Sequence, residues 1–199
     1  MPQNILVIGA SGVIGSAVAD ALDARGHRVV RASRGSGERV DIHDPDSLTA
    51  LFDRVGDLDA VVTALGSAPF KPVAELSLAD FRAAFENKTL GQIGVAALAA
   101  ERLRDGGSIT VTTGILSTRP VPTGATATVA NGALNAYVLA TAPYLPRGMR
   151  INALSPNVLL ESPGYHASFP GFTPVPAAEV ARAYVDVVEG DATGSVVSV

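Results

Sequence analysis

Residues 3–15 read Gln-Asn-Ile-Leu-Val-Ile-Gly-Ala-Ser-Gly-Val-Ile-Gly. The apolar run Ile5–Ile8 is short and unbroken, the pattern of a strand buried on both faces, and it stops at Gly9. Past the glycines, Val13, Ile14, Ala17, Val18, Ala21 and Leu22 recur at helical spacing until Gly26 supplies a stop. A strand, a glycine turn and a helix in this order make a cradle for a pyrophosphate. Gly9 permits the tight turn, Gly12 removes a Cβ where the phosphates must approach, and Gly15 lets the helix pack close to the strand. Ser11, Val13 and Ile14 complete the loop at the helix N-terminus, whose free N–H groups and positive dipole end attract anions.

The same alternation continues along the chain. Residues 27–32, 39–42, 58–63, 107–112, 149–154 and 195–199 read as further strands. Residues 45–56 read as a helix capped by Asp44, with Pro45 in its first turn. A long helix is expected from the Ser77/Asp80 capping pair to about Leu103, another over 123–142, and a last one over 176–189. Residues 155–175, broken by Pro and Gly, read as a loop laid over the sheet. Strands alternating with helices imply parallel pairing. The expected architecture is therefore one α/β domain over 1–199, a three-layer doubly wound Rossmann fold with about seven mostly parallel strands and helices on both faces. Ligands of such sheets bind beyond the carboxyl ends of the strands. The loops at 9–15, 31–36, 63–72, 113–122 and 155–175 all leave from that edge.

Composition narrows the partners. At 199 residues, 47% hydrophobic and 17% charged, the chain suits one folded core. Aromatics are 5% and Trp is absent, so Ala, Val, Leu and Gly must fill the interior. There is no Cys, and His27, His43 and His166 match no ligand spacing, so no metal is expected. A net charge of −4 without a basic run argues against nucleic acid and membrane surfaces. No apolar run has the length of a membrane span, and the start enters a strand with no cleavage signal, which reads as cytoplasmic.

Cofactor choice turns on the end of the second strand. An acidic residue about 20 positions past the glycines would bind ribose hydroxyls and favour NAD. Here the chain reads Val29-Val30-Arg31-Ala32-Ser33-Arg34, with no carboxylate. Ser33 and Arg34 stand where an adenosine 2′-phosphate would lie, and Arg suits bidentate phosphate contact, so NADP(H) is expected over NAD(H). The alternative is that Arg31 and Arg34 are ordinary solvated charges.

With these pieces in order, the chain resembles the short-chain dehydrogenase/reductase family over nearly its whole length. The resemblance rests on residues 9–15, on Asp41-Ile42, on Thr63-Ala64-Leu65-Gly66, on Asn87, on Gly107-Ser108-Ile109, and on Arg150-Ile151-Asn152 running into Ser155-Pro156. It implies that Asp41 and Ile42 flank the adenine, that Ala64, Leu65 and Gly66 line the adenosine ribose, and that Pro156 to Val158 border the nicotinamide. The phosphate loop departs from the family's usual glycine spacing, and Asn157 stands where Gly usually follows Pro.

The larger departure is catalytic. Family members use a Tyr and a Lys four residues apart, which places both on one helix face. The Lys binds the nicotinamide ribose and lowers the Tyr pKa, the Tyr exchanges the carbonyl proton, a Ser polarises the carbonyl and an Asn supports the site. In this chain Tyr137, Tyr144, Tyr165 and Tyr184 are followed four positions on by Thr141, Gly148, Phe169 and Val188, and the only lysines are Lys71 and Lys88. Matching Ala130-Asn131-Gly132-Ala133-Leu134 to the family puts Ala127 at the Tyr position and Asn131 at the Lys position. The Ser position falls on Thr113 or Gly114, and Asn87 matches the Asn. The chain thus resembles a divergent branch without the usual pair, leaving Asn87 and Thr113 as catalytic candidates. Tyr165 and His166 in the 155–175 loop offer further proton donors or a plain surface pair. Arg119 offers a group for an anionic substrate or a solvated charge. Lys88 adjoins Asn87, but neighbours on a helix point apart, so no shared role is expected.

Two functions fit. One is an NADP-dependent oxidoreductase acting on a small carbonyl or alcohol through a non-standard site. The other is a non-catalytic dinucleotide-binding redox sensor or interaction module. Small residues dominate 123–142 and 91–100, which lets another helix approach closely, and in the family these helices often pair subunits, so a homodimer or homotetramer is expected. Ala133→Phe should then shift the sedimentation coefficient to that of a smaller species. An unchanged profile would count against this interface.

Overall fold

The computed structural model describes residues 1–199. Its strands are β1 (Asn4–Ile8), β2 (Arg28–Ser33), β3 (Glu38–Arg39), β4 (Ala60–Thr63), β5 (Ser108–Thr112), β6 (Arg150–Ser155) and β7 (Val196–Ser198). They form one sheet in the order β3-β2-β1-β4-β5-β6-β7, and every pairing is parallel. The helices are α1 (Val13–Ala24), α2 (Pro45–Val55), α3 (Leu78–Ala84), α4 (Gly91–Arg102), α5 (Ala125–Thr141) and α6 (Ala177–Glu189).

The pleat explains the layers. Ile5 and Val7 point to one face and pack with Val18 and Leu22 of α1 and Val180 and Tyr184 of α6. Leu6 and Ile8 point to the other and pack with Leu51 and Phe52 of α2, Val95 of α4 and Val138 of α5. Each inner strand is buried on both sides, as the unbroken apolar runs require. No helix is long and apolar enough to cross a membrane.

The expected caps are present. Asp44 accepts from the Asp46 amide at the start of α2, and Ser77 with Asp80 forms a complete capping box on α3. Two expectations need correction. The third strand covers only Glu38–Arg39, because at Asp41 the backbone amide turns to Ser47 Oγ and the chain enters the α2 cap. The long helix over 77–103 is interrupted by a π-helical segment, Phe85–Leu90, between α3 and α4.

The strand order reverses between β1 and β4, and there the backbone is packed most closely. Gly9 adopts φ +91°, and a Cβ on it would lie 2.3 Å from Ala64 O. A Cβ on Gly15 would lie 2.1 Å from Gly9 O and 2.7 Å from Gly9 C, all fixed backbone. Gly15→Ala should therefore destabilise the fold by about 1–3 kcal/mol through overpacking, read as a lower urea midpoint. A midpoint equal to wild type would show that the loop yields.

Candidate active site

Two contiguous hollows follow the carboxyl edge of the sheet from β2 to β6. The outer one holds about 350 Å³ and the inner chamber about 420 Å³, and they share Gly12 and residues 64–67. The helix α1 begins at this junction with Gly12 as its N-cap and no side chain hydrogen-bonded to its first-turn amides. Of the residues singled out in the sequence, Gly9, Ser11, Ser33, Arg34 and Ile42 line the outer hollow, as does Asn87. Val13, Ile14, Thr113, Asn131, Pro156 and Val158 line the inner one. Gly12, Ala64, Leu65 and Gly66 face both. Gly15 and Asp41 face neither; Gly15 packs on Gly9, and the Asp41 carboxylate turns to His43.

At the outer end the two arginines separate. Arg31 is held by Asp20 and Asp23, each at 2.6 Å. Arg34 lines the hollow and makes no hydrogen bond or ion pair within the protein, although it lies near enough to Asp41 to help lower that carboxyl. Ser33 Oγ is spent on its own turn: it donates to Ser36 O at 2.7 Å and accepts from the Ser36 amide at 2.9 Å. Asp41 accepts from the His43 amide and ring, and these bonds hold its carboxyl below the usual range. His43, weighed in the sequence only as a metal ligand, lines the hollow together with Ile42.

At the inner end the adjacent pair Asn87 and Lys88 part company. Both lie in the π-helical segment, whose wider turn shifts the phase of the side chains relative to a regular helix. Asn87 is left in the outer hollow, and Lys88 enters the inner chamber. Lys88 Nζ donates to Thr113 O at 3.0 Å. Burial alone pushes its ammonium down to about 8. A Cβ on Gly66 would lie 2.5 Å from Lys88 Cγ, so the absence of a side chain there makes room for the lysine stem. Asn87, a catalytic candidate by resemblance, thus lines the outer hollow and not the inner chamber. The available signal was that Lys88 is one of two lysines and sits beside the matched Asn.

The other candidates also sort. The Thr113 hydroxyl donates to Leu154 O at 3.2 Å, so this residue offers the chamber its carbonyl and not a free O–H. Asn131 is buried, and its Oδ1 has no partner in the protein. A Cβ on Gly114 would meet Asn131 Nδ2 at 2.8 Å, so Gly114 holds open the space Asn131 fills. Ala127 is buried in the chamber wall. Tyr165 faces the chamber, while His166 Nε2 donates to Leu159 O at 2.8 Å and ties its own loop. Arg119 stacks on Phe172, 4.3 Å from the ring centroid, and is not in the chamber wall. Phe70 and Phe169, 5.7 Å apart, close the chamber with Tyr165. The unusual Asn157 also has a use: its Oδ1 accepts from the Val158 amide and its Nδ2 donates to Thr173 O, pinning the 155–175 loop at both ends.

These residues fit a dinucleotide. The first turn of α1 has no side-chain cap and opens on the hollow lined by Gly9, Ser11 and Gly12, and the orphaned Asn131 Oδ1 suits a ribose hydroxyl.

Comparison with known proteins agrees. A family model described as enoyl-(acyl carrier protein) reductase matches residues 9–185. Versicolorin reductase stcU of Emericella nidulans is 32% identical over 179 residues, covering 77% of this chain and 68% of that enzyme. The crystal structure of lin1944 from Listeria innocua superposes with a TM-score of 0.95 at 45% identity, covering 99% of each chain. A small-chain dehydrogenase solved in complex with NADPH gives 0.87 at 27% identity, covering 100% of this chain and 97% of that one. The chain belongs to the short-chain dehydrogenase/reductase family of oxidoreductases, and it has the family's Rossmann fold. It spans between 50% and 71% of the length of the curated relatives it matches.

Gly66 has φ +124°, and a side chain there would also strike Lys88. Gly66→Ala should cost about 1–3 kcal/mol in urea unfolding and displace Lys88 from Thr113 O. Wild-type stability would contradict the close approach.

Proposed function

We propose that this protein is an NADP(H)-dependent oxidoreductase that interconverts a small carbonyl compound with an apolar body and the matching alcohol. One observation carries the reading. A single trough runs from an unpaired arginine, past a helix N-terminus with no side-chain cap, into an apolar chamber holding a lysine and a tyrosine.

In this reading Arg34 binds the adenosine 2′-phosphate, and its freedom from Asp20 and Asp23 leaves its fork available. The first turn of α1 binds the pyrophosphate. Asn131 Oδ1 accepts from the nicotinamide ribose, and Pro156 and Val158 border the ring. When bound, the dihydronicotinamide supplies a hydride to the carbonyl carbon. The chain itself orients the two partners and excludes water, with Phe70, Tyr165 and Phe169 covering the chamber. The similarity to a dehydrogenase solved with NADPH supports the choice of cofactor. The outward faces of α4 and α5, where a Cβ on Gly132 would meet nothing within 4 Å, support pairing of subunits there.

A second reading, a dinucleotide sensor without turnover, is favoured by one feature. Ala127 and Asn131, which the resemblance matches to the family's Tyr and Lys, both line the chamber without a tyrosine or lysine side chain.

Fluorescence titration with NADPH and NADH, followed by absorbance assays against a panel of apolar aldehydes and ketones, separates the two. Tighter binding of NADPH with measurable turnover is expected. Arg34→Ala should weaken NADPH by about 10- to 100-fold, the value of charged hydrogen bonds, while leaving NADH affinity unchanged. Binding without turnover on any compound would favour the sensor. No binding of either cofactor would sink both.

A further inference from the structure

We propose that Lys88, entering the chamber from the π-helical segment on the α3–α4 side, is the proton donor to the substrate carbonyl oxygen in place of the absent tyrosine on α5. The proposal rests on the oxidoreductase reading given above.

The geometry has four parts. First, Lys88 and Tyr165 are the only titratable side chains in the chamber wall, and Tyr165 is half exposed at its mouth. Second, Lys88 Nζ has three donors and one protein partner, Thr113 O, which leaves two N–H groups for a ligand. Third, no carboxylate pairs with it. Lys71, the other lysine of the chain, is ion-paired to Asp80 at 2.6 Å, the usual way a folded chain compensates such a charge. Besides Tyr165, the charged or titratable groups lining the trough are Arg34 and His43, both at its outer end. Fourth, the fold gives up regular structure to place this side chain. The helix widens into a π turn at Phe85–Leu90, and position 66 is a glycine beneath the lysine stem. An unpaired ammonium in an apolar chamber costs free energy that a merely structural residue would not need to spend.

The chemistry balances with the reductant already named. The hydride brings two electrons to the carbonyl carbon. One Nζ–H bond of Lys88 breaks as an O–H bond forms on the former carbonyl oxygen. The resulting neutral amine regains its proton from water. Burial places the lysine near the pKa this exchange needs at neutral pH, since it brings the group down to about 8. Reduction then requires the ammonium, so kcat/KM for reduction should be flat below about pH 8 and fall as pH rises through it. Alcohol oxidation should show the reverse limb.

The test uses the intact chain with NADPH and the panel of apolar aldehydes and ketones. Lys88→Met and Lys88→Arg should each lose about 10²- to 10⁴-fold in turnover, the usual worth of acid–base help, with NADPH affinity within a few-fold of wild type. Arg keeps the charge but holds its proton at any working pH, so turnover rescued by Lys88→Arg overturns proton transfer from this residue. Turnover of Lys88→Met within tenfold of wild type overturns the proposal altogether. Because either variant could misfold, the unsubstituted protein labelled with [15N]lysine supplies a second readout, with Lys71→Arg for assignment. The Lys88 Nζ resonance should titrate near pH 8 and move when NADP+ is added. Both lysines titrating above about pH 10, with no response to NADP+, refutes the proposal whatever the turnover. Wild-type protein that reduces nothing, while Lys88 titrates low and responds to NADP+, places the failure in the oxidoreductase reading and leaves Lys88 as the group facing the cofactor.

Discussion

The structure depends on how closely the loop after β1 approaches the loop after β4. Gly9 turns at φ +91° with its missing Cβ facing Ala64 O, and Gly15 packs against the Gly9 carbonyl. These contacts admit no methyl group. They bring α1 onto the sheet at the point where the strand order reverses, so that the open first turn of the helix faces the crevice between β1 and β4. Every other part of the site is placed relative to that crevice. Residues 64–67 form the floor shared by both hollows, and Gly66 makes room for Lys88.

A second constraint fixes the deep end. The buried Gln92 of α4 spans the ends of β4 and β5, accepting from Thr63 Oγ1 and the Thr112 amide and donating to Thr112 O and Leu65 O. On the opposite face the fully buried Tyr184 of α6 bonds to Thr112 Oγ1. Burial drives the Tyr184 hydroxyl well above its ordinary range, so it serves the fold as a neutral hydrogen-bonding group. Satisfied polar contacts on both sides of Thr112 hold the strand that presents Thr113 O to Lys88.

Much of this was legible in the sequence, because the signals were local. Unbroken apolar runs and helical spacing gave the strand and helix order, and the glycines gave the crevice. What could not be read depended on side-chain direction. The sequence offers Ser33 and Arg34 to a phosphate, but only the structure shows that Ser33 Oγ is spent on Ser36 while Asp20 and Asp23 on α1 hold Arg31. Asn87 drew attention by resemblance, yet the π turn gives the chamber to its neighbour, and a one-residue change of helical phase carries no signature in composition. Thr113 and Gly114 both line the inner chamber, and the Thr113 hydroxyl is turned back to Leu154 O. Asp41 likewise folds onto His43, two residues on, so the hollow is lined there by Ile42 and the histidine and not by the carboxylate.

The central claim is that one trough holds the whole dinucleotide, with its phosphate-bearing ribose at Arg34 and its nicotinamide end against Asn131 and Lys88. A crystal structure of the protein with NADP+ tests this most directly. The account predicts the 2′-phosphate on the Arg34 guanidinium, the pyrophosphate at the first turn of α1, and a ribose hydroxyl on Asn131 Oδ1 within reach of Lys88 Nζ. A dinucleotide bound with its adenosine in the inner chamber, or bound away from this trough, would contradict it.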